Sequence, residues 1–95
     1  MVRYTIRPGE RDAVRAAAIE FVDAIKANEP DTLRYEALYQ QDGVSFVHFM
    51  SFTDEAAEAR HRGMPHVRKF VEFVYPKCVT DPVFTSLKLL RSTAR

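Results

Sequence analysis

The dipeptide Asp42-Gly43 separates two segments in which apolar and polar residues alternate, and it constrains the fold more than any other feature of this sequence. Asp-Gly favours the two-residue type I′ turn that joins antiparallel strands. With these two as the turn residues, Gln41 faces Val44, and the sequence predicts a β-hairpin of residues 33–40 and 44–52. Counting outward gives four cross-strand pairs on one face: Tyr39 with Phe46, Ala37 with His48, Tyr35 with Met50 and Leu33 with Phe52.

The residues before the hairpin change from a period of two to a period of three to four. Apolar residues alternate with polar ones over residues 2–6, as in a half-buried strand, and Pro8-Gly9 ends that pattern. From residue 10 to about residue 28, apolar residues recur three and four positions apart, which predicts an amphipathic helix. Glu29-Pro30-Asp31 ends this helix before the hairpin begins.

A second helical region follows the hairpin and is interrupted once. Thr53 is predicted as its N-cap, because Asp54 and Glu55 then occupy the first turn, where acidic groups favour the helix dipole. Gly63-Met64-Pro65 breaks the helix, and Pro65 suits the first position of a further helical segment that ends at Tyr75-Pro76. Residues 83–90 read as a last strand, and residues 91–95 as a frayed tail.

The order β-α-β-β-α-β predicts an α+β fold in one domain, residues 1–95. With right-handed crossovers this is a ferredoxin-like antiparallel sheet in strand order 4-1-3-2 with the helices on one face. The other face is left uncovered and includes apolar residues, so we expect two sheets to associate as a homodimer. The residues of this open face are Arg3, Thr5, Arg7, Arg34, Glu36, Leu38, Val47 and Phe49.

Composition excludes several classes of protein. Fourteen Lys and Arg residues balance 13 Asp and Glu residues, so no overall charge points to nucleic acid or to a membrane surface. The single Cys78 cannot form an internal disulfide, which fits a cytoplasmic location. The three histidines have no carboxylate cluster or second cysteine to complete a coordination shell, so we expect no metal site. No phosphate-binding or dinucleotide-binding motif is present, and we expect no cofactor.

Four segments resemble the antibiotic biosynthesis monooxygenase family of dimeric α/β barrel proteins. They lie in the same order over residues 2–74, and the last one matches the family's pattern of a His, a three-residue spacer and Pro-His. The segments are the opening strand with Arg7-Pro8-Gly9-Glu10, Leu33-Arg34-Tyr35-Glu36, Phe52-Thr53-Asp54-Glu55-Ala56-Ala57 and His61-Arg62-Gly63-Met64-Pro65-His66. The resemblance implies a ferredoxin-like subunit in a homodimer and oxygen chemistry on a small aromatic or quinol-type molecule.

The sequence departs from this family at two positions from which the chemistry of family members is usually inferred. Phe52 stands where the family commonly has Trp, and Met50 stands where it commonly has Glu. The haem-degrading branch of the superfamily depends on an Asn in the first strand and on a Trp. This chain has neither, so the resemblance does not extend to haem degradation.

Two histidines are the candidate catalytic residues. His66 follows Pro65 in the first turn of a helix, where the positive helix end disfavours protonation and leaves a neutral base or donor. His48 lies on the helix-facing side of its strand, opposite the small Ala37, which leaves volume for a ligand. The alternatives are a first-turn His66 that merely faces solvent and a core His48 bonded to a tyrosine. His61 is flanked by Arg60 and Arg62, and a solvated position is expected for it.

Three functions remain open at this point. The first is a cofactor-independent monooxygenase, with Tyr35 and Tyr39 as hydrogen-bond donors and Met50, Phe52 and Phe70 as the apolar walls of the substrate site. The second is an isomerase or proton-transfer enzyme acting on a small carbonyl compound, which needs a histidine but no oxygen. The third is a dimeric ligand-binding protein without catalysis, whose interior is filled by side chains.

Overall fold

A four-stranded antiparallel sheet carries all the helices on one face. The computed structural model describes all 95 residues. Strands and helices follow in the predicted order: β1 (Val2–Thr5), α1 (Arg11–Asn28), β2 (Thr32–Tyr39), β3 (Ser45–Phe52), α2 (Glu55–Arg62), α3 (Pro65–Val74) and β4 (Val83–Phe84). Single 3-10 turns at Pro8–Glu10 and Tyr75–Lys77 precede α1 and follow α3. The sheet order β2-β3-β1-β4 confirms the ferredoxin-like arrangement.

The helical period of α1 buries one of its faces against the sheet. Val14, Ala18, Phe21 and Ile25 recur at intervals of three and four residues and are all at most 5% exposed. They pack with residues of β1, β3 and α3 in one core, which comprises Val2, Tyr4, Ile6, Phe46, Phe70 and Val74 besides the four from α1. This core fixes the distance between α1 and the sheet and thereby the space left between them.

The hairpin keeps the predicted register except at its open end. Tyr39 faces Phe46, Ala37 faces His48 and Tyr35 faces Met50, as predicted. The fourth pair is wrong, because a bulge at Leu33 places Thr32 opposite Phe52 and leaves Leu33 66% exposed.

The turn of the hairpin is longer than predicted, although it preserves the register. The Gln40 N–H donates to the Ser45 carbonyl over 2.8 Å, and residues 41–44 form the loop. Both oxygens of the Asp42 carboxylate accept hydrogen bonds, from the Ser45 hydroxyl and from the backbone of Val44 and Ser45, and Gly43 supplies a positive φ of 76°.

The second helical region is broken as predicted but begins one residue later. Asp54 is the N-cap of α2 instead of Thr53, since its Oδ1 accepts a hydrogen bond of 2.8 Å from the Ala57 N–H. A carboxylate at this position also interacts favourably with the helix dipole, which a hydroxyl does not. Gly63 then ends α2, and Pro65 is the first residue of α3.

The last strand is shorter than the predicted residues 83–90. Only Val83 and Phe84 pair with β1, opposite Arg3 and Val2. Beyond them, Thr85 still exchanges hydrogen bonds with Met1, and residues 86–95 are in no strand. The apolar residues after this point are largely exposed in the subunit: Leu87, Leu89 and Leu90 are 58%, 81% and 97% exposed.

Candidate active site between the sheet and the helices

A buried chain of three hydrogen-bonding side chains crosses the sheet beneath the helices. His48 of β3 is 1% exposed, and both of its ring nitrogens have partners. The Tyr4 hydroxyl lies 2.8 Å from Nε2, and the Tyr35 hydroxyl lies 2.8 Å from Nδ1. The antiparallel pairing of β1 and β2 with β3 places these three side chains on one face, so the chain follows from the strand register.

Burial sets the charge of these three side chains. It lowers the pKa of His48 from 6.5 to about 4, so the imidazole is neutral near pH 7. Burial likewise raises the pKa of Tyr4 and of Tyr35 far above the ordinary value for a phenol. All three groups are therefore uncharged, and their hydrogen bonds join neutral partners.

The hydrogen-bond direction along the chain follows from the burial of Tyr4. This hydroxyl has His48 as its only partner, and Tyr4 is 4% exposed whereas Tyr35 is half-buried, which favours donation of the Tyr4 proton to His48 Nε2. A neutral imidazole that accepts at Nε2 carries its proton on Nδ1, and this Nδ1–H donates to the Tyr35 oxygen. The O–H of Tyr35 is then free to donate into the space beside it.

That space is a cleft of about 870 Å³ between the sheet and helices α2 and α3. Five of the seven predicted site residues line it: His48, Tyr35, Met50, Phe52 and Phe70. Tyr4 and His61 line it as well, and the C-terminal segment from Phe84 to Leu87 forms part of its rim. The interior beside His48 is therefore not filled by side chains, as both enzymatic interpretations require, whereas the non-catalytic interpretation expects a filled interior. Ala37, opposite His48, is exposed and does not line the cleft.

The other two predicted site residues lie outside this cleft. Tyr39 is 57% exposed near the hairpin turn, where the Arg15 guanidinium lies 3.9 Å from the centre of its ring. His66 is in the first turn of α3, as predicted, but it lines a separate groove of about 400 Å³ between α1 and α3.

A buried carboxylate connects the two histidines of the interrupted helix. Glu29, just after α1, is 7% exposed and accepts three side-chain hydrogen bonds. His61 Nδ1 donates to its Oε1 over 2.7 Å, Thr32 Oγ1 donates to the same oxygen over 2.8 Å, and His66 Nε2 donates to Oε2. Burial opposes the ionised form of Glu29, but the bonds from His66, Thr32 and His61 outweigh it and lower the carboxyl pKa.

The expectation of a solvated His61 is wrong. The ring is 7% exposed, and it lies in the cleft with its centre 5.2 Å from that of Phe52 and 5.6 Å from that of Tyr35. The flanking Arg60 and Arg62 do not indicate the exposure of His61, because adjacent residues on a helix point to different faces. The available signal was Ala57, four residues earlier, which is 3% exposed and shares the buried face with His61.

The histidines and acidic residues of the structure do not come together as metal ligands. No group of three or more His, Cys, Asp or Glu side chains is placed to hold a metal ion. Cys78 is a half-buried free thiol whose pKa is raised by burial, and its sulfur bonds only to the Val74 carbonyl. None of the helices is both long and apolar enough to cross a membrane.

Fold and site together define a ferredoxin-like α+β protein with a polar chain at the floor of a helix-covered cleft. Solved structures share this fold closely. Rv0793 of Mycobacterium tuberculosis is 25% identical, with 98% of this chain and 94% of that chain covered and a TM-score of 0.86. A Nitrosomonas europaea protein described as a candidate antibiotic biosynthesis monooxygenase is 17% identical, with 98% and 89% covered and a TM-score of 0.86.

Comparison with protein families identifies the group to which the chain belongs. The sequence profile of the antibiotic biosynthesis monooxygenase family matches residues 1–72, which include the first three strands and most of the helical layer. A structure titled as an antibiotic biosynthesis monooxygenase is 22% identical, with 92% of this chain and 95% of that chain covered and a TM-score of 0.80. No curated protein is a significant match in sequence. The chain is a member of the antibiotic biosynthesis monooxygenase family.

Proposed function

We propose that the protein is a cofactor-independent monooxygenase of a small aromatic, anthrone-type or quinol-type molecule, bound in the cleft between sheet and helices. The observation that carries this proposal is the pairing of an aromatic-lined cleft with the Tyr4-His48-Tyr35 chain, which directs one hydroxyl donor into it. Family membership supports the reaction class. The aromatic side chains of the lining suit a planar aromatic ring, and the polar and charged residues among them, which include Tyr35 and Arg62, suit its oxygen substituents.

The reaction requires three features of the protein. A base must remove a proton from the substrate, a donor must stabilise the resulting oxyanion, and dioxygen must have access. The hydroxyl of Tyr35 is the donor, because His48 holds its oxygen and leaves its proton available. For an anthrone, dioxygen delivers one oxygen atom to the ring methylene, which becomes a carbonyl, and the second oxygen leaves as water with both methylene hydrogens. The substrate supplies the electrons, so the balance needs no external reductant.

Blocking the cleft is expected to abolish oxygen consumption. Val71 of α3 is half-buried and lines the cleft, so Val71→Trp places an indole in the substrate volume. We expect this variant to lower oxygen uptake with anthrone at least about tenfold, since ligand sites bury most of their ligand. An oxygen electrode with anthrone and a panel of hydroquinones makes the measurement.

The same helix offers a matched control. Phe73 is 43% exposed and lines the groove between α1 and α3 instead of the cleft. Phe73→Trp should leave uptake within about twofold of the wild type, because exposed substitutions away from a site have small effects. Equal losses in both variants would contradict the assignment of the cleft as the substrate site.

We propose further that the subunit forms a homodimer through the open face of its sheet. Leu38 and Phe49 on this face are 46% and 40% exposed, so both offer apolar surface that a second sheet would cover. Arg34 and Glu36 beside them form an ion pair of 3.2 Å, so these two charges offset each other, and the remaining charge of the face is that of Arg3 and Arg7.

Charges introduced on this face are expected to separate the subunits. The double variant Leu38→Lys/Phe49→Lys places four like charges in a twofold-symmetric interface, where each residue faces the equivalent surface of the other copy. Sedimentation velocity should then show the mass of one chain, whereas Ile19→Lys, at a 65% exposed position on α1, should leave the dimer intact. A wild-type protein that sediments as a monomer at micromolar concentration would refute the dimer.

A further inference from the structure

The proposed reaction needs a base in the cleft, and only one of the three histidines combines a position in the cleft with an unpartnered ring nitrogen. His48 has both nitrogens engaged, and accepting a proton would require breaking a bond to Tyr4 or Tyr35 inside the core. His66 lines the groove on the other side of Phe21 and has no place on the cleft. His61 is the remaining histidine, and it lines the cleft.

One ring nitrogen of His61 has no hydrogen-bond partner within the protein. Its Nδ1 is bound to Glu29, and its Nε2 has no hydrogen-bond partner. The only fully enclosed side-chain nitrogen or oxygen without a partner is Nε of Arg15, so Nε2 of His61 keeps some accessible surface, and the residue lines the cleft. Since a carboxylate only accepts hydrogen bonds, Nδ1 carries a proton, and in the neutral ring the lone pair is then on Nε2.

Glu29 holds the His61 ring with a proton on Nδ1. Its side chain is 4% exposed, and the three hydrogen bonds that it accepts fix both of its oxygens. An ionised carboxylate on Nδ1 both orients an imidazole and stabilises the positive charge that appears when Nε2 takes up a proton. His66 and Thr32 act behind Glu29, because they hold the carboxylate and contact nothing in the cleft.

We propose that His61 is the general base of the cleft and that Glu29 is its positioning residue, a role that rests on the proposed function of the cleft. Nε2 of His61 takes the proton from the acidic carbon or hydroxyl of the substrate, and the electron pair of that bond stays on the substrate. The anion is stabilised by the Tyr35 hydroxyl and then reacts with dioxygen. The proton on His61 returns to the departing oxygen, which leaves as water.

Proton removal is measured separately from oxygenation by exchange in heavy water without oxygen. Anthrone is the probe, and the loss of its methylene signal in proton NMR gives the exchange rate. His61→Asn retains a donor near the position of Nδ1 but lacks Nε2, and we expect it to lower the rate at least about 100-fold. Glu29→Gln should lower it about 10- to 100-fold, and Glu20→Gln, an exposed carboxylate paired with Lys69, should change it less than about twofold.

The double variant separates a positioning role from a structural one. If Glu29 acts through His61, Glu29→Gln adds no further loss to His61→Asn, so the double variant exchanges at the rate of His61→Asn alone. Additive losses would overturn the positioning role. Should Glu29→Gln fail to fold, nitrogen-15 NMR of the wild type tests the same point, because the proposal requires His61 to carry its proton on Nδ1. A proton on Nε2 of the neutral ring would overturn it.

The outcomes distinguish this proposal from that of the oxygenase. Wild-type exchange that is lost in His61→Asn, without any oxygen uptake, supports the base and contradicts the monooxygenase, in favour of proton transfer on a carbonyl compound. Oxygen uptake that is equal in the wild type and in His61→Asn supports the monooxygenase and overturns the base. Wild-type exchange no faster than in buffer overturns the base as well.

Discussion

Replacing Phe21 with alanine is expected to lower the free energy of unfolding by about 3–5 kcal/mol, the largest effect of any single substitution considered for this protein. Phe21 is 5% exposed, and its ring stacks on Phe70 with 4.5 Å between centres. It also contacts Tyr35 edge-on at 5.3 Å and lies between the cleft and the groove of α1 and α3. The truncation therefore removes packing from the core and joins two cavities, so neighbouring side chains have little means of closing the gap.

Urea denaturation followed by circular dichroism measures this loss. Phe73→Ala is the matched control, because Phe73 is the same residue type on the neighbouring helix but is 43% exposed. We expect the control to cost less than about 1 kcal/mol. A loss of under about 1 kcal/mol in Phe21→Ala would show that the wall between the two cavities contributes little to stability.

Replacing His48 with leucine is expected to give the second largest effect, and one that depends on pH. At pH 7.5 the variant leaves the buried Tyr4 hydroxyl and the Tyr35 hydroxyl without their partner, at a cost of about 2–4 kcal/mol. In the wild type, the unfolded chain protonates His48 near its ordinary pKa of 6.5, but the folded protein does so only near 4. Between these values the unfolded state binds more protons, so wild-type stability falls as the pH falls.

The pH therefore changes the difference in stability between wild type and His48→Leu in a definite direction. Protonation of His48 in the unfolded state lowers the wild-type free energy of unfolding by about 3 kcal/mol between pH 6.5 and 4. His48→Leu does not have this loss. Glu29 contributes in a separate window, since its lowered pKa adds stability that is lost only below its ordinary value of 4.5. The difference in stability between wild type and His48→Leu should shrink from pH 7.5 to pH 4.5. A difference that is constant or grows over this range would contradict a neutral, buried His48.

Local sequence patterns predict most of this fold, because the pattern and the buried face coincide. The alternation around Asp42-Gly43 fixes which side of the sheet His48 and Tyr35 occupy, and the loop keeps that register although it is longer than two residues. The pattern fails at Leu33, where a bulge adds a residue, and at β4, where only Val83 and Phe84 pair with β1. Both failures arise from pairing partners that lie elsewhere in the chain.

The candidate site is less predictable, since its polar contacts join distant parts of the sequence. The helix-facing position of His48 follows from the hairpin register, and that of Phe70 follows from the apolar spacing of α3. The bond between His61 and Glu29 spans 32 residues, and no local pattern indicates it. Tyr39 has the right period for the helix-facing side but lies too near the turn for α2 and α3 to cover it.

Turnover under isotopically labelled dioxygen tests the central claim most directly. Wild-type protein, anthrone and ¹⁸O₂ are incubated in ordinary water, and the product is analysed by mass spectrometry. We expect an anthraquinone that carries a single ¹⁸O atom, formed by the wild type and by Phe73→Trp but lost in His61→Asn and Val71→Trp. A product that carries no label, or a labelled product formed at the same rate by His61→Asn, would contradict it.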